Sequence, residues 1–221
     1  YAVSVSTAGR TTADVLDSLR ARGGRNFDAR TYLRERLFDT YLGTVDDSPD
    51  QWRWSRTGPD GRWTPEPRGR ERAFAKYDGV LAGLARGTIP AFVNFGEGYQ
   101  EQLGVMAYQR TLDRQLLSLL DWAVWDSVTS EFEAALTDSV IASAVAQLPP
   151  EYLAGGASFL ASGLRARRDL LPKAAQGLYR LINQEAAFFG TPGADTVTVT
   201  RMQDGALELA FQDGFRRVYA P

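Results

Sequence analysis

A cluster of acidic residues follows a predicted helix in the first quarter of the chain. The segment from Phe38 to Trp54 holds four aspartates and two tryptophans in seventeen positions, and Gly43 within it is typical of a helix end. Aspartates in such a loop can accept a proton or bind a divalent cation. They can equally be turn residues that hydrogen-bond to the neighbouring backbone. The residue types and their spacing leave both interpretations open.

The amino-acid composition restricts the chemistry that this segment could perform. The chain has no cysteine and no histidine, which excludes disulfides, thiol nucleophiles, serine–histidine triads and histidine zinc sites built from this chain alone. An enzyme made from it would depend on carboxylates, tyrosine, lysine or a cation held by oxygen ligands.

Charge and hydropathy restrict the partners. The net charge of −2 provides no overall basic field, so we expect no nucleic-acid partner. The local arginine cluster of Arg165, Arg167 and Arg168 has helical spacing and is interpreted as a solvated face. No apolar run approaches the roughly 20 residues of a membrane-spanning helix, so we expect no membrane span in this chain.

Helical periodicity dominates the rest of the sequence. We predict helices over 11–22, 29–42, 71–86, 112–120, 124–136, 139–148, 157–170 and 173–189, with capping residues, glycines and prolines at their ends. Pro172 is predicted to separate the last two helices. Alternating residues around turn sequences predict two β-hairpins, near 51–67 and 196–212. The prediction is therefore a mainly α (α+β) fold, a helical bundle with two β-hairpins, in a single domain over 1–221.

Three tryptophans lie in the first predicted hairpin. Trp52, Trp54 and Trp63 alternate with polar residues, so they share a face of the hairpin. That face could be an aromatic platform that binds a sugar or a protein partner, or it could pack against the helical bundle. We keep the three tryptophans as candidate binding residues.

The acidic loop resembles a known catalytic loop. It begins with Asp39, continues through Gly43 and reaches Asp46 and Asp47. This order resembles the Asp-x-x-x-Gly-Asn/Asp-x-Asp-Arg-His pattern of the atypical kinases, which include the HipA-like toxins, the CotH-like spore-coat kinases and the secretory casein-kinase type. In this chain Asp47 and Ser48 replace the arginine and histidine of that pattern.

A longer resemblance is to an uncharacterised bacterial envelope family, often fused to calcineurin-like phosphoesterase or outer-membrane surface-antigen modules. The runs Arg36-Leu37-Phe38-Asp39 and Asp50-Gln51-Trp52-Arg53-Trp54 are similar to that family, as is Pro65 to Phe74. The resemblance covers about Thr12 to the end. It implies that the helical bundle resembles a kinase C-lobe and that the protein is bacterial and periplasmic or otherwise associated with the cell envelope.

The resemblance also implies roles for individual residues. Asp46 falls on the position of the catalytic base, which accepts the proton of the attacked hydroxyl in phosphoryl transfer. Asp50 and Glu71 are the candidate ligands for Mg²⁺. However, Gly69 and Glu71 stand where the family has two aspartates, and glycine has no side chain with which to coordinate a cation.

Three hypotheses follow. The first is a non-catalytic, pseudokinase-like domain with no cofactor, which binds a protein partner in a larger envelope assembly. The second is a divergent Mg- or Mn-dependent phosphotransferase that uses ATP and Asp46, with the nucleotide-binding lobe supplied by a partner or by a segment outside these 221 residues. The third is a purely structural subunit of an envelope complex. The first predicts that Arg68 or Arg70 fills the cleft in which the second would place its cation.

Overall fold

The computed structural model describes residues 9–21, 24, 26–44, 51–58, 60–77, 94–99, 109–185 and 187–219. Within these residues the fold is mainly α with two small antiparallel sheets, which confirms the α+β fold class expected from the sequence. The elements in chain order are β1 (Arg10–Thr11), α1 (Thr12–Ala21), α2 (Ala29–Leu42), β2 (Trp52–Ser55), β3 (Thr64–Pro67), α3 (Arg110–Leu117), α4 (Trp122–Ala135), α5 (Asp138–Ala146), α6 (Pro150–Asn183), β4 (Val197–Arg201), β5 (Leu207–Phe211) and β6 (Arg216–Tyr219).

Helix α2 has the bounds that its capping residues predict. Asp28 accepts a hydrogen bond from the backbone N–H of Thr31 at 2.9 Å, so it satisfies one of the unpaired donors of the first turn. At the other end Gly43 has a φ of 71°, in the left-handed region that glycine adopts easily. Its N–H donates to the carbonyl of Thr40 at 3.1 Å. These two ends place the acidic loop directly after the helix.

The first predicted hairpin is present and carries one additional strand. β2 pairs antiparallel with β3, with Trp54 opposite Pro65, and β1 pairs with the other edge of β2. The period of two along β2 directs Trp52 and Trp54 to the same side. Both rings are fully buried there, because that side lies on the helices.

The prediction that Pro172 ends a helix is wrong. Helix α6 runs unbroken through Pro172 over 34 residues, a length of about 51 Å. Proline removes one backbone hydrogen bond and costs a helix about 3 kcal/mol. An apolar face on both sides of it compensates, since these residues are buried at helical spacing: Leu171, Ala174, Ala175, Leu178 and Ile182.

The predicted helix over 71–86 is also corrected where the structure describes it. Residues 71–74 form a turn and residues 75–77 are irregular. Phe74 has a positive φ of 60°, which is incompatible with an α-helix. The remainder of that prediction, from residue 78, lies outside the described residues.

The core consists of two main apolar clusters on the two sides of α2. The larger one joins α1, α2, the first sheet, α3, α4 and the second half of α6, and its largest fully buried side chains are Trp52, Trp54, Trp125 and Tyr32. The second one joins the end of α2 with α5 and the first half of α6, and its buried members are Tyr41, Phe95, Ile141, Val145 and Leu164. Helix α2 therefore contributes to both clusters.

The second sheet has the order β4-β5-β6, so the predicted hairpin is confirmed and β6 extends it. Arg217 and Tyr219 of β6 attach this sheet to the helices. The guanidinium of Arg217 donates to the carbonyls of Ser118 and Leu120 at 3.1 and 2.9 Å, and the Tyr219 hydroxyl donates to Ser118 at 2.8 Å. These carbonyls follow α3, where backbone acceptors lack helical partners.

None of the helices in the described part of the chain combines the length and the apolar character that crossing a membrane requires.

Candidate functional site

Two of the predicted site residues cannot be placed. Asp46 and Asp50 lie in residues 45–50, outside the described residues. The structure does describe the helix that leads into this loop and the segment around Glu71 that follows the first hairpin. These two pieces meet at a group of charged side chains.

The group is centred on one face of α2. Tyr32, Arg36 and Asp39 are separated by four and three positions, so successive turns of the helix bring them to the same side. Together with Glu35, Asp113 of α3 and Arg70, which follows β3, they form what we call the buried ion network. Three elements that are distant in sequence therefore contribute to it.

Arg36 and Asp113 form the interior of the buried ion network. The Nε and Nη2 atoms of Arg36 donate to the two carboxylate oxygens of Asp113 at 2.9 and 3.0 Å, a two-pronged pairing. The Tyr32 hydroxyl donates to the same carboxylate at 2.9 Å. Arg36 and Asp113 are 1% and 0% exposed, so neither charge is solvated by bulk water. Each of the two charges is therefore stabilised by its partner and not by water.

Asp39 and Arg70 form the outer part of the network. Arg70 donates from Nε to Asp39 at 2.8 Å and from Nη2 to Glu35 at 2.7 Å, so its guanidinium spans two carboxylates of α2. Arg36 lies 3.4 Å from the other oxygen of Asp39. The guanidinium of Arg70 also lies over the Phe38 ring, 4.7 Å from its centroid. The first aspartate of the kinase-like motif is thus enclosed between two arginines.

Burial shifts the pKa values of the network. Burial is the main cause of the raised pKa of Asp39, and the charges of Arg36 and Arg70 partly oppose that shift. Burial is the largest single influence on Arg36 and by itself would lower its pKa, but Asp113, Tyr32 and Asp39 together outweigh it and the pKa is raised. The pKa of Tyr32 is well above its ordinary value, because of burial and then because of Asp113. Arg36 and Tyr32 accordingly keep their protons at neutral pH.

The positions on either side of Arg70 carry one acidic side chain between them, that of Glu71. Gly69 has a φ of 79°, in the left-handed region that favours glycine. Glu71 is exposed, and its side chain lies beside Gly69 and Gln51. Among the described residues, no three acidic side chains come together in a way that could hold a metal ion.

The three candidate tryptophans lie in the core. Trp52 and Trp54 are 0% exposed and Trp63 is 5% exposed, so their rings offer no open platform. Tyr32 of α2 packs against both rings of β2, with centroids 4.9 and 5.7 Å away. The indole N–H of Trp54 donates to the Thr12 hydroxyl at 3.2 Å. All three tryptophan rings therefore pack against the helical bundle.

A second buried arginine holds the end of α2, directly before the acidic loop. Arg167 of α6 donates to the carbonyl of Tyr41 at 2.7 Å and also to the carbonyl of Thr40. A further bond reaches the Gly98 carbonyl at 2.7 Å, and the Tyr99 ring lies 4.1 Å from the guanidinium. Arg167 is 0% exposed, so it is not part of the solvated face expected for residues 165–168. Burial lowers its pKa to about 10.

Sequence reasoning missed Arg36, Asp113 and Arg167 as buried charged residues that position α2. A signal was present for the first two, since Arg36 lies between the apolar positions Leu33 and Leu37 of α2 and Asp113 adjoins Leu112 in α3. A charged residue within an apolar helical face indicates a buried ion pair. For Arg167 the signal is ambiguous, because Leu164 and Leu171 flank both Arg167 and Arg168 at helical spacing.

Comparisons with protein-family models, curated proteins and solved structures found no match to this chain. The resemblance to atypical kinases and to the envelope family therefore stays a prediction from the motifs.

Proposed function

We propose that this chain is a non-catalytic, kinase-like domain that serves binding or assembly in a bacterial cell envelope. The observation that carries the proposal is the position of Arg70. Its guanidinium already pairs with Asp39 and Glu35, and Arg70 is the single residue between Gly69 and Glu71. Those are the positions at which the resembling family has aspartates.

Arg70 is a cation of the chain itself in a region where a kinase-like site would bind a metal ion. A phosphoryl-transfer site uses Mg²⁺ to neutralise phosphate charge, and the ion needs carboxylate oxygens that are free to coordinate it. Here the carboxylates at the end of α2 are neutralised by Arg70 and Arg36. An arginine in this place stabilises the fold through its pairs with Asp39 and Glu35. The kinase-like scaffold would then be retained for its shape.

The location and the type of partner rest on the motif resemblance alone. The family that the runs around Asp39 and Trp52 resemble is associated with the envelope, so we propose a periplasmic or envelope location and a protein partner.

Calorimetric titration of the chain with ATP and Mg²⁺ or Mn²⁺ tests the proposal. We expect no heat of binding for the wild type or for the Asp46→Asn, Glu71→Gln double variant. Binding by the wild type that the double variant loses would overturn the proposal in favour of the metal-dependent phosphotransferase. The same titration of a variant outside the loop, Arg10→Ala, serves as the control for non-specific nucleotide binding.

A second experiment addresses Arg70 directly. Arg70→Met removes the internal cation and leaves Asp39 and Glu35 without it, so the thermal midpoint should fall. Arg68→Met changes an exposed arginine two positions away and should leave the midpoint close to that of the wild type. Equal effects of both substitutions would contradict the role assigned to Arg70.

A further inference from the structure

The free edge of the second sheet is unusually open. β4 is the edge strand of the order β4-β5-β6, and all five of its residues are exposed. Val197 and Val199 are 42% and 60% exposed. Natural edge strands are commonly protected by lysine, proline, a bulge or an inward-pointing charge. The sequence Thr-Val-Thr-Val-Thr from Thr196 to Thr200 has none of these features.

We infer that β4 pairs antiparallel with β4 of a second copy of this chain, forming a continuous six-stranded sheet. The inference deepens the proposed assembly role and rests on it, since it names the partner as a second copy. It is argued from three properties of the strand: its hydrogen-bonding direction, the charges at its two ends and the apolar residues on one face.

The hydrogen bonds between β4 and β5 show which backbone groups are free. The Met202 N–H donates to Ala206, and the Gln212 N–H donates to Thr196. Because the direction alternates along an antiparallel strand, the even-numbered residues of this strand bond to β5. Val197, Val199 and Arg201 therefore direct their N–H and C=O groups to the open edge. A pairing strand must bond to those three residues.

Charge favours one register. A two-fold axis at Thr198 places Val197 opposite Val199 of the second copy and Arg201 opposite Asp195 of the second copy. Asp195 lies two residues before β4, and its carboxylate also accepts hydrogen bonds from the Thr191 N–H and hydroxyl at 2.6 and 2.8 Å. Opposite charges directly across an antiparallel pair are stabilising. The symmetry forms this ion pair twice, at the two ends of the paired segment. An axis at Val199 would place Arg201 opposite Val197 and would lose both ion pairs.

The side-chain faces agree with this register. The pairing of β4 with β5 sets Val197 opposite Phe211 and Val199 opposite Leu209, so these four residues share one face of the sheet. Residues directly opposite in an added strand lie on the same face, so the valines of two copies would cover each other. Such burial supplies the apolar contribution that backbone hydrogen bonds alone do not give.

Cysteine cross-linking tests the register, because the chain contains no cysteine of its own. At the two-fold axis the two copies of residue 198 form a non-hydrogen-bonded pair with Cα atoms about 4.5 Å apart, within the range of a disulfide. Thr198→Cys should give a covalent dimer on mild oxidation. Thr200→Cys is the matched control, since its two copies would be roughly 13 Å apart. Stronger cross-linking at position 200 than at position 198 would overturn the register.

Sedimentation equilibrium of a proline variant tests the edge itself. Val199→Pro removes an N–H that points away from β5, so the sheet within one copy keeps its ladder. We expect the dimer dissociation constant to rise by about tenfold or more, which corresponds to about 1.4 kcal/mol. Val199→Thr keeps both the N–H and the β-branched shape and should change the constant far less. Circular dichroism of both variants confirms that they fold.

The outcomes separate this inference from the proposed function. A wild-type chain that stays monomeric up to about 1 mM overturns the β4 pairing. So does a dimer that Val199→Pro leaves unchanged, because another surface would then form it. Neither result affects the non-catalytic proposal, which the nucleotide titration tests. Nucleotide binding would overturn that proposal and leave the β4 result standing.

Discussion

Arg36 and Arg167 are both buried against α2, but different groups compensate their charges. Arg36 is paired with the carboxylate of Asp113 and lies beside that of Asp39. Arg167 donates to carbonyls, including those of the last turn of α2, and lies over aromatic rings. The pKa is raised for Arg36 and lowered to about 10 for Arg167.

The two arginines stabilise the same helix through different kinds of partner. A carboxylate partner offsets the cost of burying a guanidinium through direct charge attraction. Carbonyl groups at a helix end offer partial charges, together with acceptors that have no helical donor. Arg36 therefore ties the middle of α2 to α3, whereas Arg167 ties its C-terminal end to α6. Both fix the point at which the acidic loop begins.

The largest effect is expected from removing the charge that faces Arg36. Asp113→Asn keeps the shape of the side chain but leaves a buried guanidinium without its main counter-charge, which should lower the free energy of unfolding by about 3–5 kcal/mol. Urea denaturation measures it. Arg30→Ala, which breaks an exposed pair with Glu131, should leave the unfolding midpoint near the wild-type value. Similar losses for both variants would contradict the prediction that the buried pair contributes more to stability than the exposed pair.

A smaller effect is expected at Arg167. Arg167→Met fills much of the same space and removes the charge together with its desolvation cost, so the loss is that of a donor to the carbonyls of Thr40, Tyr41, Gly96 and Gly98. We expect a loss of about 1–3 kcal/mol in the free energy of unfolding, less than for Asp113→Asn. A larger loss than that of Asp113→Asn would contradict the expectation that the ion pair of Arg36 contributes more to stability than the carbonyl contacts of Arg167.

Tyr99→Phe should have a smaller effect still. The Tyr99 hydroxyl donates to the Arg167 carbonyl at 2.7 Å, within α6, and its ring covers the guanidinium. Phenylalanine keeps the ring and removes one hydrogen bond, so we expect a loss of about 0.5–1.5 kcal/mol in denaturant titration. Tyr99→Leu removes the ring as well and should cost more. If the two variants lose equally, the contact between the ring and the guanidinium contributes nothing.

The smallest expected effect is on the pH dependence of the free energy of unfolding. The pKa of Asp39 is raised above its ordinary 3.8 in the folded state, mainly by burial, so the native protein binds more protons than the unfolded one just above pH 3.8. The stability that this carboxyl contributes is complete below pH 3.8 and is lost as pH rises through the folded-state value. Asp39→Asn should therefore lose less stability than the wild type over that interval.

Asp138 provides the opposite case for the same measurement. Hydrogen bonding from Arg168 is the main reason that its pKa is lowered in the folded protein, so its contribution is present above pH 3.8 and is lost as pH falls. Asp138→Asn should lose less stability than the wild type on acidification. Chemical denaturation at a series of pH values compares the two variants. Relative to the wild type, the free energy of unfolding should change with pH in opposite directions for the two variants. A change in the same direction for both would contradict the assignment of Asp39 as a buried and Asp138 as an exposed carboxyl.

Local sequence signals predicted much of the secondary structure. Asp28 and Gly43 gave the bounds of α2, and the turn around Gly205 gave the second hairpin, because capping and turn geometry depend on a few adjacent residues. The continuity of α6 through Pro172 was not predictable in this way. It depends on how much apolar surface the helix buries against distant elements.

The candidate site also combines features that local sequence signals predicted with contacts between distant residues that they did not predict. The motif singled out Asp39 and the segment around Glu71 as related positions, and the first hypothesis named Arg68 or Arg70 as the residue that fills the cleft. The sequence did not decide between the two arginines or show that Arg70 would pair with Asp39 across 31 residues. The burial of Trp52 and Trp54 was one of two alternatives, and the sequence did not decide between them. Such choices depend on which faces meet, and that is a property of the assembled fold.

The sequence by itself determined the mainly α class, the ends of α2, the two hairpins and the absence of cysteine and histidine chemistry. These features depend on composition and on interactions between near neighbours in the chain. Only the tertiary structure decided that Arg36 and Arg167 are buried, that Arg70 neutralises the end of α2 and that β4 is an open edge. Each of these depends on the desolvation and pairing of groups brought together from distant positions, because electrostatic energy is set by surroundings in space and not by order along the chain.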